Sequence, residues 1–322
     1  MIGQSGYRFY SVKALCETFG CSRQAFYKRS KVQPDEVELR ITLVDQMLKC
    51  RKKYPTAGCR YVYDDMPKDW PWGRDKTEQA LLKMGFAVRY PKNKIRTTKP
   101  GSRTYPNLIY GLQVSTINTV WQGDMTYFHT LDGQVNYLIL LTDVYSQAIV
   151  GHGAYSSYPA TSFLEVLQRA IKKRGGKNLK GLIHHSDRGS QYGSNLYANE
   201  LGRYGILQSM CKYSWENPFA EKANDLIKNG YLENWAPKNL KELRLLLNRA
   251  INNHNKFKRK PKLDKLTPYG IESKLANDPY FKPIELTLKP TQQWDMVLTK
   301  THKNGLSTKM ESYESPLDPS FN

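Results

Sequence analysis

At 322 residues the chain exceeds most single domains and has room for a catalytic core with appended modules. Its 49 Lys and Arg against 29 Asp and Glu give a formal net charge of +20, a field that draws polyanions, with nucleic acid the first candidate partner and a membrane surface the second. The most apolar stretch, YLILLTDVYSQAIV, is broken by Asp143 and Ser146 and falls short of the roughly 20 residues a span requires, so a soluble, cytoplasmic protein without a membrane partner is expected.

Residues 7 to 30 read as two short helices, 11–19 and 22–29, divided by Gly20. The second carries Arg23, Lys28 and Arg29, so the pair is either a helix-turn-helix reader of DNA or a small hairpin that merely packs. From Asp35 to Lys53 an amphipathic helix is expected on Val37, Leu39, Ile41, Leu43, Val44 and Leu48. TAGCRYVYDDM and RDKTEQALLKMGF suggest two more helices, the latter ending at Gly85. RYPKNKIRTTKPGSR follows, basic and without acids. It is a linker whose Lys94 and Arg96 either lie along phosphates or are simply solvated.

Near Thr116 the pattern changes to strands. WQGDMTYFHT, QVNYLILLTDVYS and QAIVGHGAY form a predicted antiparallel meander, the first two joined across Asp132-Gly133. Residues 160–174 place Phe163, Leu164, Leu167, Ala170 and Ile171 on one helical stripe. A strand (GLIHHS), a helix (SNLYANELGRYG), a strand (ILQSM) and a helix opened by Asn217-Pro218 come next, the last with Asn217 as the expected N-cap. The sum is an α/β fold with a mixed sheet covered by helices and preceded by small all-α modules. NLKELRLLLNRAINNHN is a further helix, KFKRKPKLDK a basic loop, and the pattern weakens from Asn277. The expected divisions are residues 1–32, 33–88, 89–115, 116–276 and 277–322.

Three carboxylates stand in distinct settings: Asp124 on the first core strand, Asp187 at the end of the fourth, and Glu221 in the first turns of the helix after the fifth. They meet if the first and fourth strands are neighbours. Converging carboxylates repel unless a cation intervenes, and oxygen-only ligation favours magnesium, with manganese as substitute, over zinc. Two such ions about 4 Å apart suit in-line attack at phosphorus. Lys228, two turns past Glu221, either grips DNA or pairs with Asp225. Lys212, Tyr213 and Trp215 make a loop that contacts DNA by charge and stacking, or in which Trp215 packs before the cap. Asp143 reads as a turn-former and His185 as a hydrogen-bonded strand histidine.

WQGDMTYF, HHSDRGSQY and ENPFAEKANDLIKN resemble the three signatures of the DDE transposases and retroviral integrases, most of all the downstream-frame product of the large bacterial insertion-sequence family with two overlapping reading frames. SVKALCETFGCSRQAFYKR, YPTAGCRYVYDDM and GRDKTEQALLKMGF resemble that frame's opening and second helical module, so the likeness runs over about residues 8 to 275. It implies a ribonuclease H-like five-stranded core with Asp124, Asp187 and Glu221 as catalytic metal ligands and Lys228 against terminal DNA. The implied activity is 3′-end cleavage and strand transfer, joining the element's own ends through a circular intermediate. The implied partners are double-stranded DNA of the terminal repeats and target, further copies of the chain, and the upstream-frame product, in a bacterial cytoplasm on the nucleoid. The interval from Asp187 to Glu221 is slightly shorter than the family's, and Glu216-Asn217 replaces its frequent Asp-Asn. A transposase-derived DNA-binding protein without catalysis and a ribonuclease H-like nuclease are the rival readings.

Overall fold

The computed structural model describes residues 11–18, 20, 22–24, 34–88, 103–290 and 296–300. Helix 22–29 falls mostly outside them, with Lys28 and Arg29, as do Lys94 and Arg96 of the linker. Among the described residues no helix is long and apolar enough to cross a membrane. The described residues form two compact units, one within 1–52 and 57–89, the other within 53–56 and 90–322.

The first unit is helical: α1 (Val12–Thr18), α2 (Pro34–Lys53), α3 (Cys59–Tyr63) and α4 (Arg74–Lys83). The buried stripe of α2 is Leu43, Met47 and Cys50, at i, i+4 and i+7, whereas Val37, Ile41 and Leu48 of the expected stripe are exposed. Leu43 is the residue common to both, and the register of the stripe is corrected by Met47 and Cys50, weaker hydrophobes in a pattern count. α4 buries Thr77 and Leu81 and stops where Gly85 takes a left-handed φ of 85°, as expected.

The second unit is built on a five-stranded sheet of β2 (Val120–His129), β3 (Val135–Asp143), β4 (Ile149–Tyr155), β5 (Ile183–Ser186) and β6 (Leu207–Met210). Its order is β4-β3-β2-β5-β6, the first three antiparallel and β5 and β6 added parallel to β2. This is the expected mixed sheet, with the first and fourth core strands as neighbours. The β2–β3 hairpin closes as Asp132-Gly133 suggests: Gly133 has φ of 80° and Asp132 Oδ1 accepts from Thr130 Oγ1 and the Gln134 N–H.

Alternation along the strands assigns the two faces. Trp121, Ile139, Leu141 and Val150 pack against α5 (Ala160–Lys173) and α6 (Asn195–Arg203). Phe128, Leu138, Leu140 and Ile149 pack on the other face against Ala223 and Ile227 of α7 (Pro218–Ile227) and Leu247, Ala250 and Ile251 of α9 (Leu240–Phe257), with the short α8 (Glu233–Trp235) between them. A third cluster gathers Val144, Tyr145, Leu263, Ile271 of α10 (Pro268–Asn277), Leu286 and Leu288, with Phe219 packed against it. A small antiparallel sheet joins β1 (Gln113–Val114) to β7 (Leu286–Pro290) and β8 (Met296–Lys300), the last two beyond Asn277, where the sequence pattern announces no strand.

The edge of β4 is closed by a side chain. Fully buried Asn255 of α9 accepts from the Ile149 N–H and donates to the Ile149 carbonyl, both at 3.0 Å, replacing the strand that an edge lacks. Asn255→Leu leaves both backbone groups buried without partners and should lower stability by about 2–4 kcal/mol. Denaturant midpoints at constant m-value measure this, and an unchanged midpoint contradicts it.

Candidate active site

Asp124 and Asp187 are brought together by sheet register. β2 and β5 run parallel with Gly123 opposite Ser186, so the next residue on each chain is an aspartate. Asp187 Oδ1 accepts the Gly189 N–H at 3.0 Å, and a Cβ on Gly189 would sit 3.0 Å from that same oxygen, which explains a glycine in the turn. Between Gln122 and Asp124, Gly123 is required for a different reason. A Cβ there would meet Leu141 at 2.9 Å and the Tyr192 hydroxyl at 3.1 Å.

Glu221 comes from α7, which is tied to β2 by three side chains. Gln122 Oε1 accepts the Phe219 N–H at 2.9 Å and the Ala220 N–H at 3.4 Å. Asn217 Nδ2 donates to the Gly123 carbonyl at 2.9 Å, and Asn224 Nδ2 donates to Asp124 Oδ2 at 2.9 Å. Gln122 and Asp124 share a strand face at i and i+2, while Glu221 and Asn224 share a helix face at i and i+3. The clamp therefore sets Glu221 beside Asp124. Asn217 is the N-cap residue by position, but its side chain makes no cap bond: the expected cap is supplied across space by Gln122. Glu221 is exposed, in the first turn, where a negative charge suits the helix dipole.

The electrostatics follow. Burial first, then Asp187, then more weakly Glu221, push Asp124 up to about 8, against the opposing hydrogen bonds from Met125 and Asn224. The residue as a whole is half-buried. Three carboxylates thus share one field, although among the described residues no three His, Cys, Asp or Glu side chains stand close enough to hold a single ion. The donor chemistry fits a hard cation: all-oxygen carboxylates, with the buried Asn224 Oδ1 lacking a hydrogen-bond partner next to Asp124.

Around this centre the other expected residues take different places. Lys228 is not on a regular helix face, because α7 ends at Ile227 and Lys228 opens a π-helical turn through Leu232. Its Nζ stands 4.4 Å from the Tyr127 ring centroid, whereas Asp225 accepts from Asn229 Nδ2, so the Lys228–Asp225 alternative is replaced by a cation–π contact. Tyr213 and Trp215 stack with centroids 5.5 Å apart and planes 8° from parallel, with Lys212 Nζ 5.2 Å from the Tyr213 centroid. Glu216 pins this loop by accepting the Lys212 and Tyr213 N–H groups. Exposed Arg23 lies in the other unit. Asp143 is a turn-former, accepting from Ser146 N–H and Oγ and from the Asn118 N–H, and His185 Nδ1 bonds Ser209 Oγ on β6. Gln122 and Asn224 were not singled out by sequence. Gln122 stands two residues before Asp124 and Asn224 three after Glu221, a spacing that marks a shared face but not a bonding partner.

Residues 115–214 match the integrase core domain family. The chain is 27% identical over 252 residues to the transposase for insertion sequence element IS629 of Shigella sonnei, spanning 73% of this chain and 82% of that one. It is 31% identical over 218 residues to the candidate transposase for insertion sequence element IS986/IS6110 of Mycobacterium tuberculosis, spanning 63% and 77%. The HTLV-2 integrase catalytic core domain, solved in complex with magnesium, superposes at a TM-score of 0.38 with 21% identity over 48% of this chain and 96% of that one.

The raised Asp124 gives a pH signature. Without divalent metal the folded chain keeps this proton to about pH 8, while an unfolded aspartate releases it near pH 4. The folded state therefore binds more protons in that window, and stability falls as pH rises from about 4 to about 8, then levels off. In chelator, Asp124→Asn should remove this component and be the more stable protein at pH 8. Parallel stability–pH curves for parent and variant would show Asp124 to be an ordinary carboxylate.

Proposed function

The chain belongs to the insertion-sequence transposases, and from that premise we propose that it cleaves DNA at the 3′ ends of its element and transfers them to a target strand with Asp124, Asp187 and Glu221 as catalytic carboxylates. One observation carries the assignment: Asp124 is driven up by burial and by both other acids, the behaviour of a carboxylate placed to ionise against a cation. Magnesium, with manganese as substitute and two ions as the complement, supplies activation of the attacking oxygen and stabilisation of the leaving one.

The chain's own residues prepare this chemistry. Asp124 holds a proton in the free protein and yields it on loading. Asn224 orients Asp124 through Oδ2 and the Gly189 N–H orients Asp187 through Oδ1, so both carboxylates arrive fixed. Gln122 fixes the first turn of α7, leaving Glu221 exposed to close on the centre as the third ligand. Water is the first attacker, and the 3′-hydroxyl it exposes is the second. The polyanionic substrate is double-stranded DNA of the terminal repeats and target, consistent with the +20 charge. Lys228 contacts its backbone at the end of α7, the Tyr213–Trp215 stack with Lys212 takes an unpaired base, and Arg23, Lys28, Arg29, Lys94 and Arg96 add phosphate contacts from the N-terminal side. Joining two ends calls for several copies of the chain on DNA, with the upstream-frame product as a further partner in a bacterial cytoplasm.

Asp124→Asn, Asp187→Asn and Glu221→Gln should each bind end duplex with near-parental affinity and lose strand transfer by about a hundredfold or more, the worth of several kcal/mol of transition-state stabilisation. Cleavage and joining of labelled end duplexes with magnesium measure this. Parental joining by any one variant removes that residue from the site.

A further inference from the structure

Lys53–Thr56 belong to the compact unit of the sheet, although the chain on both sides of them, up to Lys52 and from Ala57, belongs to the helical one. The break is local in origin: Pro55 disfavours helix at Tyr54, so α2 stops at Lys53. Three of the four residues of this strap are then bound by the second unit. The Lys53 carbonyl accepts from Asn253 Nδ2 of α9 at 2.7 Å, and Lys53 Nζ lies 4.8 Å from the Phe257 ring centroid. Tyr54 packs on the apolar cluster beneath the sheet, its ring centroid 5.2 Å from that of Tyr231 and 3.6 Å from Lys258 Nζ. Buried Thr56 donates through Oγ1 to the Gly230 carbonyl at 3.4 Å, a long hydrogen bond.

The strap therefore grips the middle of the π-helical turn Lys228–Leu232. In that turn the Glu233 N–H donates to the Lys228 carbonyl five residues back, one more than an α-helical bond spans. A Cβ on Gly230 would stand 3.3 Å from Tyr54 Cε2 and 3.5 Å from Thr56 Oγ1, so the glycine is what lets the strap close on the turn. Relaxation to α-helical pitch would rotate α8 against α7 by about 100°. Buried Tyr231 and Leu232 oppose this from beneath the sheet, and the strap opposes it from Gly230 and Tyr231. Lys228 heads the turn so held, with its Nζ 4.4 Å from the ring centroid of Tyr127, three residues beyond Asp124 on β2.

We propose that Tyr54 and Thr56 are positioning residues for the DNA contact of Lys228. They lock the π-turn and so fix where the Lys228 ammonium is presented at the end of α7; without them the turn relaxes and the ammonium leaves the phosphate. The proposal rests on the reading of Lys228 as a backbone contact and acts only through it.

The test is a double-mutant cycle on duplex binding. Affinity is read by fluorescence anisotropy over a series of KCl concentrations, with full-length chain, labelled terminal-repeat duplex and calcium in place of magnesium so that nothing is cut. Lys228→Gln should bind about fivefold more weakly, with the slope of log affinity against log salt reduced by about one. Tyr54→Leu/Thr56→Val should do the same where Lys228 is present, and nothing further in the Lys228→Gln background. Gly230→Ala drives a methyl group against the Tyr54 ring from the side of the turn and should repeat that pattern, which keeps the cycle available if the strap variant does not fold. Thr56→Ser retains the hydroxyl and should bind as the parent does.

Losses that add in the Lys228→Gln background overturn the proposal, since the strap would then support the fold at large. Parental affinity and slope in the strap variant and in Gly230→Ala overturn it as well, and so does a loss in Thr56→Ser as large as that of the strap variant. Weak binding by Lys228→Gln beside parental strap variants sinks the strap alone and leaves Lys228 on the DNA. Parental binding by Lys228→Gln removes that lysine from the DNA and the proposal with it, while the roles of the three acids stand or fall by their own joining assay.

Discussion

A half-buried carboxyl group on the central strand of a sheet, beside a second carboxylate, keeps its proton unless a cation offsets its charge. Asp124 is in that position, because β2 and β5 are parallel neighbours whose register brings Asp187 alongside. The surroundings of the site answer to this constraint. The sheet order places β2 in the middle, so its centre is stiff from both sides. Gly123 lets Leu141 and Tyr192 close underneath, removing room in which the strand could relax away from the repulsion.

The second consequence concerns α7. A helix that presents an acid to an already acidic place needs an anchor that does not consume the acid. In many helices a first-turn glutamate folds back on the N-cap. Here the amides of Phe219 and Ala220 are satisfied by Gln122 from the strand, and Asn217 turns away from the helix to the Gly123 carbonyl. Glu221 is left exposed on the face that also carries Asn224. Carboxamides do this well because they bond at both ends while adding no charge. The price in unsatisfied polar atoms is visible at Gln122 Nε2, Asn217 Oδ1 and Asn224 Oδ1.

Much of this architecture was legible in the sequence, for identifiable reasons. Strand periodicity and the Asp132-Gly133 turn carry local information, and the structure has the hairpin they specify. The three acidic motifs carried the family resemblance. What escaped was tertiary. The Asn217-Pro218 pair does start α7, but whether Asn217 bonds its own helix depends on β2, which lies far away in sequence. The π-turn at Lys228 follows from packing of Tyr231 and Leu232 beneath the sheet, and heptad counting does not register it. The basic run after α9 reads only as a basic loop, while in the fold its Leu263 joins an apolar cluster and Lys260 is buried. β7 and β8 are short strands completed only by pairing with each other and with β1.

On the proposed reading Asp124 keeps a proton in the metal-free chain because burial, and then Asp187 beside it, oppose its charge, and metal displaces that proton. Titration calorimetry with manganese near pH 7, repeated in buffers of different ionisation enthalpy, measures the protons released on binding directly. The account predicts release of about one proton per chain in the parent and essentially none in Asp124→Asn. Manganese binding without proton release in the parent, or equal release in the variant, would contradict it.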